Sequence, residues 1–153
     1  MKKYNCIFCR IAAGEAPAYK IYEDKNYVAF LDIRPNIAGQ SVIVPKKHLS
    51  SIFSEAGNKN LANFIIAAKK VSNLLRKKLD VQRVNLVLEG TGIDHLHAKL
   101  YPTAGVRGRG TVTYEKEPIY FPKYVGYLTT LLGPKAKDSV LKKLQEKIAK
   151  QRR

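Results

Sequence analysis

The sequence predicts an α+β domain with a short extension behind it, and three observations carry that expectation. Apolar residues repeat at three- and four-residue steps between positions 60 and 79, the spacing of one long helix with a buried face. Five short runs rich in branched and aromatic residues, bounded by Pro, Gly and Asn, predict strands on both sides of that helix. The 153 residues are 45% hydrophobic and 26% charged, a composition able to bury a core.

Residues 6–13 predict a short helix stopped by Gly14, with Pro17 beyond it. Tyr19 to Glu23 reads as a short strand, and Tyr27 to Ile33 as a second that ends at the turn Arg34-Pro35-Asn36. Ser41 to Val44 is a third strand, closed by Pro45. The long helix is expected from about Asn60 to Leu79, with Leu61, Phe64, Ile65, Ala68, Val71, Leu75 and Leu79 forming its apolar stripe and Asn58 or Asn60 its N-cap. Strands at Val84–Leu88 and Ile93–Leu100 follow. Beyond Pro102 come a glycine–arginine loop at 105–110, an aromatic stretch at 119–127 and a basic helix at roughly Lys137 to Lys150. The organisation expected is a domain at 1–110 and a C-terminal extension at 111–153, packed on the domain or trailing from it.

The charge points to anionic partners. Lys and Arg number 28 against 12 Asp and Glu, a net charge of +16, which draws polyanions without saying which. From Pro134 onward eight Lys or Arg stand against Asp138 and Glu146. That basic helix is a solvated face or a nucleic-acid contact. No apolar run approaches the roughly 20 residues of a membrane span, so no membrane partner is expected. Met1-Lys2-Lys3-Tyr4-Asn5-Cys6 lacks the apolar stretch of a secretory signal, and a cytoplasmic protein is expected. There a C-x-x-C pair, Cys6 and Cys9, reads as half of a metal site or as a redox motif rather than a structural disulfide.

The segment Ile93-Asp94-His95-Leu96-His97-Ala98-Lys99-Leu100 carries the chemistry. Side chains on a strand alternate faces. Ile93, His95, His97 and Lys99 therefore share one side; Asp94, Leu96, Ala98 and Leu100 share the other, which is suited to packing under the long helix. Two imidazoles and an ammonium in a row are a poor choice for a core face.

Together with Cys6-Ile-Phe-Cys9, Gly14-Glu15-Ala16-Pro17, Tyr22-Glu23-Asp24, Ala29 to Pro35 and Val44-Pro45-Lys46-Lys47-His48, the pair His95-Leu96-His97 resembles the histidine triad (HIT) proteins. The likeness is greatest to their Hint-like bacterial and archaeal branch and spans residues 6–102. It implies a five-stranded antiparallel sheet with a long helix packed on it, and a homodimer. It also implies an enzyme acting at the α-phosphate of a purine nucleotide conjugate (a phosphoramidate, an acyl or sulfo adenylate, or a dinucleoside polyphosphate). His97 would be the nucleophile and would form a nucleotidyl-histidine intermediate. Neutral imidazole suits that role when one ring nitrogen is tied to a carbonyl and the other is free. Asp32 matches the family's ribose-binding carboxylate, against the plainer reading of a turn-starting carboxylate. Ile21, Phe30 and Leu31 match base-pocket positions, against plain core packing. Lys99 and the backbone around Gly92 would meet the phosphate.

This chain departs from the family pattern at two places. Lys99 replaces the third histidine; it can hold a phosphate as a point charge but is a poor proton donor near neutral pH. The related hexose-1-phosphate uridylyltransferases carry Gln there and remain active. Secondly, Thr91-Gly92 stands where a Gln-Ser pair often precedes the strand. Several members of the branch bind zinc, and Cys6, Cys9, His48 and His95 have the content of a closed structural zinc site; His95 would then be structural and sit beside the nucleophile. The rival expectation is a zinc-braced nucleotide- or nucleic-acid-binding module with little or no catalysis.

Overall fold

A computed structural model describes residues 6–105 and, beyond them, Tyr120, Pro122, Lys123 and Ser139. The chain divides into two compact units, Met1–Thr111 and Val112–Arg153. The glycine–arginine loop, the aromatic stretch and the basic helix expected after Pro102 lie outside the described residues, apart from those single positions. Among the described residues no helix is long and apolar enough to cross a membrane.

The first unit runs α1 (Ile7–Ala13), β1 (Lys20–Glu23), β2 (Tyr27–Leu31), β3 (Ser41–Pro45), α2 (Asn58–Leu79), β4 (Val84–Val87) and β5 (Ala98–Pro102), with one 3-10 turn at Phe53–Glu55. The strands form one antiparallel sheet in the order β1-β2-β3-β5-β4. This is the five-stranded HIT-like α+β fold that the resemblance implied.

Strand alternation sorts the core into two layers. Ala29, Ile43, Leu96, Ala98 and Leu100 pack with Phe64, Ala67, Ala68, Val71 and Leu75 of α2. Val28, Phe30, Val42 and Val44 face the other way, under Cys6, Phe8 and Ile11 of the N-terminal segment. That segment closes at Gly14, whose φ of 80° allows the two capping bonds to Arg10 and Ile11 carbonyls.

Several boundaries differ from expectation. α2 starts at Asn58 behind Gly57, and no side chain caps it, so neither Asn58 nor Asn60 serves. Its buried line takes in Ala67, while Ile65 and Leu79 are 40% and 42% exposed; Ile65 is rotated about 100° from Phe64 and so leaves the sheet. The expected strand at Ile93–Leu100 begins only at Ala98. Gly90 and Gly92 take φ of 65° and 84°, and the His95 amide donates to Ile93 O at 2.8 Å, a tight local turn that a strand does not contain. Both histidines therefore ride the loop that enters β5, although alternation holds from Leu96 onward.

Candidate active site and metal centre

The loop carrying the histidines is fixed from beneath. The Leu96 amide donates to Leu49 O at 2.8 Å, and the Ser51 amide donates to Asp94 Oδ1 at 3.0 Å. Gly90 passes so close to this segment that a Cβ there would meet Ser51 O at 2.5 Å.

Although two imidazoles are a poor choice for a core face, His95 and His97 are both buried, at 0% and 4% exposure. The cover is Phe8 of α1, whose ring lies edge-on to His97 at 5.4 Å and to His95 at 5.9 Å, and packs on Phe30 at 5.7 Å. The two imidazoles then part company. His97 lines a cavity of about 420 Å³. His95 turns into the sulfur cluster instead.

In that cluster Cys6 Sγ lies 3.3 Å from His95 Nδ1, and Cys9 Sγ lies 3.3 Å from His48 Nδ1 and 3.5 Å from His95 Nδ1. All four donor atoms fall within 4.8 Å of one another. A tetrahedral zinc with Zn–S about 2.3 Å and Zn–N about 2.0 Å spaces neighbouring donors roughly 3.3–3.8 Å apart, so the residues fit such an ion. The outer contacts agree. His95 Nε2 sits 2.8 Å from Pro45 O, a carbonyl that only accepts; the proton is therefore on Nε2, and bare Nδ1 faces the thiols. Burial holds the His95 imidazole below its ordinary pKa, outweighing the Pro45 bond, with the neighbouring imidazoles pushing the same way. It is neutral, as a ligand must be. Cys6, Cys9, His48 and His95 could hold a metal.

The same logic orients His97. Its Nδ1 donates to its near neighbour's carbonyl, His95 O, at 2.7 Å, which leaves Nε2 with its lone pair.

The cavity has an apolar body and one polar end. Ile7, Phe8, Ile11 and Pro17 from the N-terminal segment, Phe30, Leu31 and Val42 from the sheet, and Ile93 form the body. Asp32, Glu89, Lys99, Thr91 and Gly92 join His97 along it. Such a slot, apolar with a few convergent polar groups, suits a small organic ligand. Of the positions expected here, Ile21 is the exception. Lys20 pairs with Phe30 and Tyr22 with Ala29, so Ile21 is the extra residue of a β-bulge, and it packs on the α2 side of the sheet.

Asp32 both closes a turn and lines the cavity. Its Oδ1 accepts from the Arg34 amide at 2.8 Å, closing the turn, and its Oδ2 accepts from Gln40 Nε2 at 2.7 Å while the residue lines the cavity. Lys99 is not a bare point charge: its Nζ is ion-paired with Glu89. Burial alone would push the Lys99 ammonium down, but the Glu89 hydrogen bond and charge hold it above the ordinary lysine value. Phe8, Gln40 and Glu89 were missed as site residues. Only Glu89, next to the glycine pair, carried a local signal.

The HIT domain family matches residues 13–104 of the chain. An HIT-like protein of Methanocaldococcus jannaschii is 41% identical over 102 residues, 63% of this chain and 78% of that one. A Saccharomyces cerevisiae protein named adenosine 5′-monophosphoramidase is 33% identical over 103 residues, 63% of this chain and 61% of that one. Among solved structures, an HIT family hydrolase of Legionella pneumophila superposes with a TM-score of 0.56 at 37% identity, covering 67% of this chain and 95% of that one. A zinc-bound histidine triad family protein of Mycobacterium smegmatis does so with a TM-score of 0.60 at 25% identity, covering 76% and 86%.

Proposed function

The chain belongs to the HIT domain family, and from that footing we propose that it is a hydrolase of purine nucleotide conjugates, attacking the α-phosphate with His97. The observation that carries this is the tethered imidazole: Nδ1 is bound to the His95 carbonyl and the ring lines a cavity of about 420 Å³, room enough for a nucleoside. His97 Nε2 attacks the α-phosphorus as the bond from phosphorus to the leaving group breaks, and the leaving amine takes its proton from solvent. Water then adds to phosphorus, the Nε2–P bond breaks, a proton goes to the medium, and the nucleoside monophosphate and free imidazole remain.

Phe30, Leu31 and Ile93 would hold the base. Each Asp32 oxygen keeps a lone pair beyond its present bonds, enough to accept from the ribose hydroxyls. Lys99 and the amides near Gly92 would meet charge on the phosphate oxygens. The yeast relative's name makes an adenosine phosphoramidate the first substrate to test. The metal we propose for the four-residue cluster is zinc, and a closed zinc site would brace the N-terminal segment against the histidine loop rather than take part in the reaction. Pairing of two chains is part of the same proposal: Ile65 and Ile66 of α2 and Leu86 of the edge strand β4 expose apolar surface a second copy would cover, and light scattering on the full chain would give the mass of a dimer.

Replacing His97 with Ala tests the enzyme reading. AMP release from adenosine 5′-phosphoramidate should fall at least about a thousandfold, while AMP binding stays within a few-fold of wild type. Turnover that survives the change contradicts the proposal.

A further inference from the structure

The polar end of the cavity holds an electrostatic contradiction. In a protein of net charge +16, the charged groups that line this cavity among the described residues, apart from His97, are one cation, Lys99, and two carboxylates, Asp32 and Glu89. The one cation is already taken: Glu89 pairs with Lys99, and the two side chains are only 15% and 27% exposed. The Asp32 charge acts on the Lys99 ammonium in the same direction as Glu89. A pocket built only to hold phosphate tightly would not place a half-buried carboxylate on that lysine, because the pairing neutralises the charge that would hold the phosphate.

We propose that Glu89 is a competitor for Lys99 that expels the nucleoside monophosphate product. It rests on the reading of the cavity as a nucleotide site. With the cavity empty, Glu89 holds Lys99 charged and in place beside His97. An arriving conjugate presents an α-phosphate with a single negative charge, which shares the ammonium at modest cost. Hydrolysis turns that group into a phosphate monoester carrying nearly two charges at neutral pH. The part of the Lys99 charge that Glu89 withholds would be worth about twice as much to two phosphate charges as to one, so the pairing costs the product more than the substrate. The product is therefore held less tightly than an unpaired lysine would hold it, and Glu89 takes Lys99 back as it leaves. Glu89 acts through Lys99 and touches no reacting atom.

The test is calorimetric titration of the full-length protein with AMP and with the AMP methyl ester, which keeps one phosphate charge. Glu89→Gln should tighten AMP about fivefold to tenfold, the range of one partly exposed ion pair at the upper end of its strength. It should tighten the methyl ester by less than half that factor. AMP should become a correspondingly stronger product inhibitor of phosphoramidate hydrolysis. In a Lys99→Met background Glu89 has nothing to compete for, and adding Glu89→Gln should change AMP affinity by less than about twofold. Glu89→Ala should give the same sign as Glu89→Gln if the amide variant folds poorly.

AMP binding that is unchanged or weakened by both Glu89 variants overturns the proposal. So does a Glu89→Gln gain that persists undiminished without Lys99, since that is direct repulsion of the ligand. A wild-type protein that binds AMP but hydrolyses nothing defeats the enzyme reading and the product role, while the AMP titrations still decide the competition for Lys99; one that binds no AMP defeats the nucleotide site and this proposal together.

Discussion

Truncating Phe8 to Ala is the most demanding test of how this site is built. Phe8 is 8% exposed and, among the described residues, is the one side chain in ring contact with Phe30, His95 and His97 at once. Phe-to-Ala changes in cores cost about 3–5 kcal/mol. Phe8 borders the cavity of about 420 Å³, so solvent can enter the space it leaves, and the lower end, about 3 kcal/mol, applies. For a domain of this size that is a fall in Tm of about 10 °C. Because the ring is also the lateral support of His97, hydrolysis should drop more than tenfold even where the variant is fully folded. Ile7→Ala is the control, one residue earlier on α1 and 40% exposed, and should cost less than about 1 kcal/mol. Urea unfolding followed by circular dichroism, with phosphoramidate turnover at matched folded fraction, reads both effects. If Phe8→Ala costs no more than Ile7→Ala, α1 does not cover the histidines as described.

Four other outcomes follow from particular contacts. Elemental analysis of the purified chain should find one zinc per molecule, and Cys9→Ser, which removes the sulfur facing His48 and His95, should cut that occupancy at least tenfold at low free metal. Gly90→Ala should cost roughly 2–4 kcal/mol in urea unfolding, since φ is 65° and the new Cβ would meet the Ser51 carbonyl. Burial pushes Asp24 up, but the Tyr22 hydroxyl and the Asn26 and Tyr27 amides outweigh it and hold the carboxyl below its ordinary value. A depressed carboxylate stabilises above its unfolded pKa of about 3.9 and loses that contribution as pH falls further. Asp24→Ala should therefore cost about 1–2 kcal/mol at pH 7 and progressively less below pH 4. Tyr22, pushed up to about 12 mainly by its bond to Asp24, should make the wild type lose stability as pH rises from 10 towards 12.

What was legible in the sequence was whatever local periodicity decides. The α2 stripe, the short helix ended by Gly14 and the alternation of Leu96, Ala98 and Leu100 against His97 and Lys99 all follow from neighbours a few residues apart. The four residues that could hold a metal were also legible as a set, because C-x-x-C and two histidines together have the content of such a site. What was not legible depends on long-range placement. Nothing near His95 in sequence says that Phe8, nearly ninety positions away, will cover it. The bulge that sends Ile21 to the α2 side is a property of the β1–β2 register rather than of Ile21 itself. The Lys99–Glu89 pair needed the loop geometry set by Gly90 and Gly92 before two residues ten positions apart could meet.

The central claim, covalent chemistry on His97, is tested most directly by intact-protein mass spectrometry. Wild type and His97→Ala would be mixed with adenosine 5′-phosphoramidate and quenched rapidly without acid, which hydrolyses phosphorus–nitrogen bonds. A mass gain of one adenylyl group on wild type alone, mapped to the His97 peptide, is the predicted result. An adenylyl group that forms equally on the His97→Ala protein, or maps to another residue, would contradict the account.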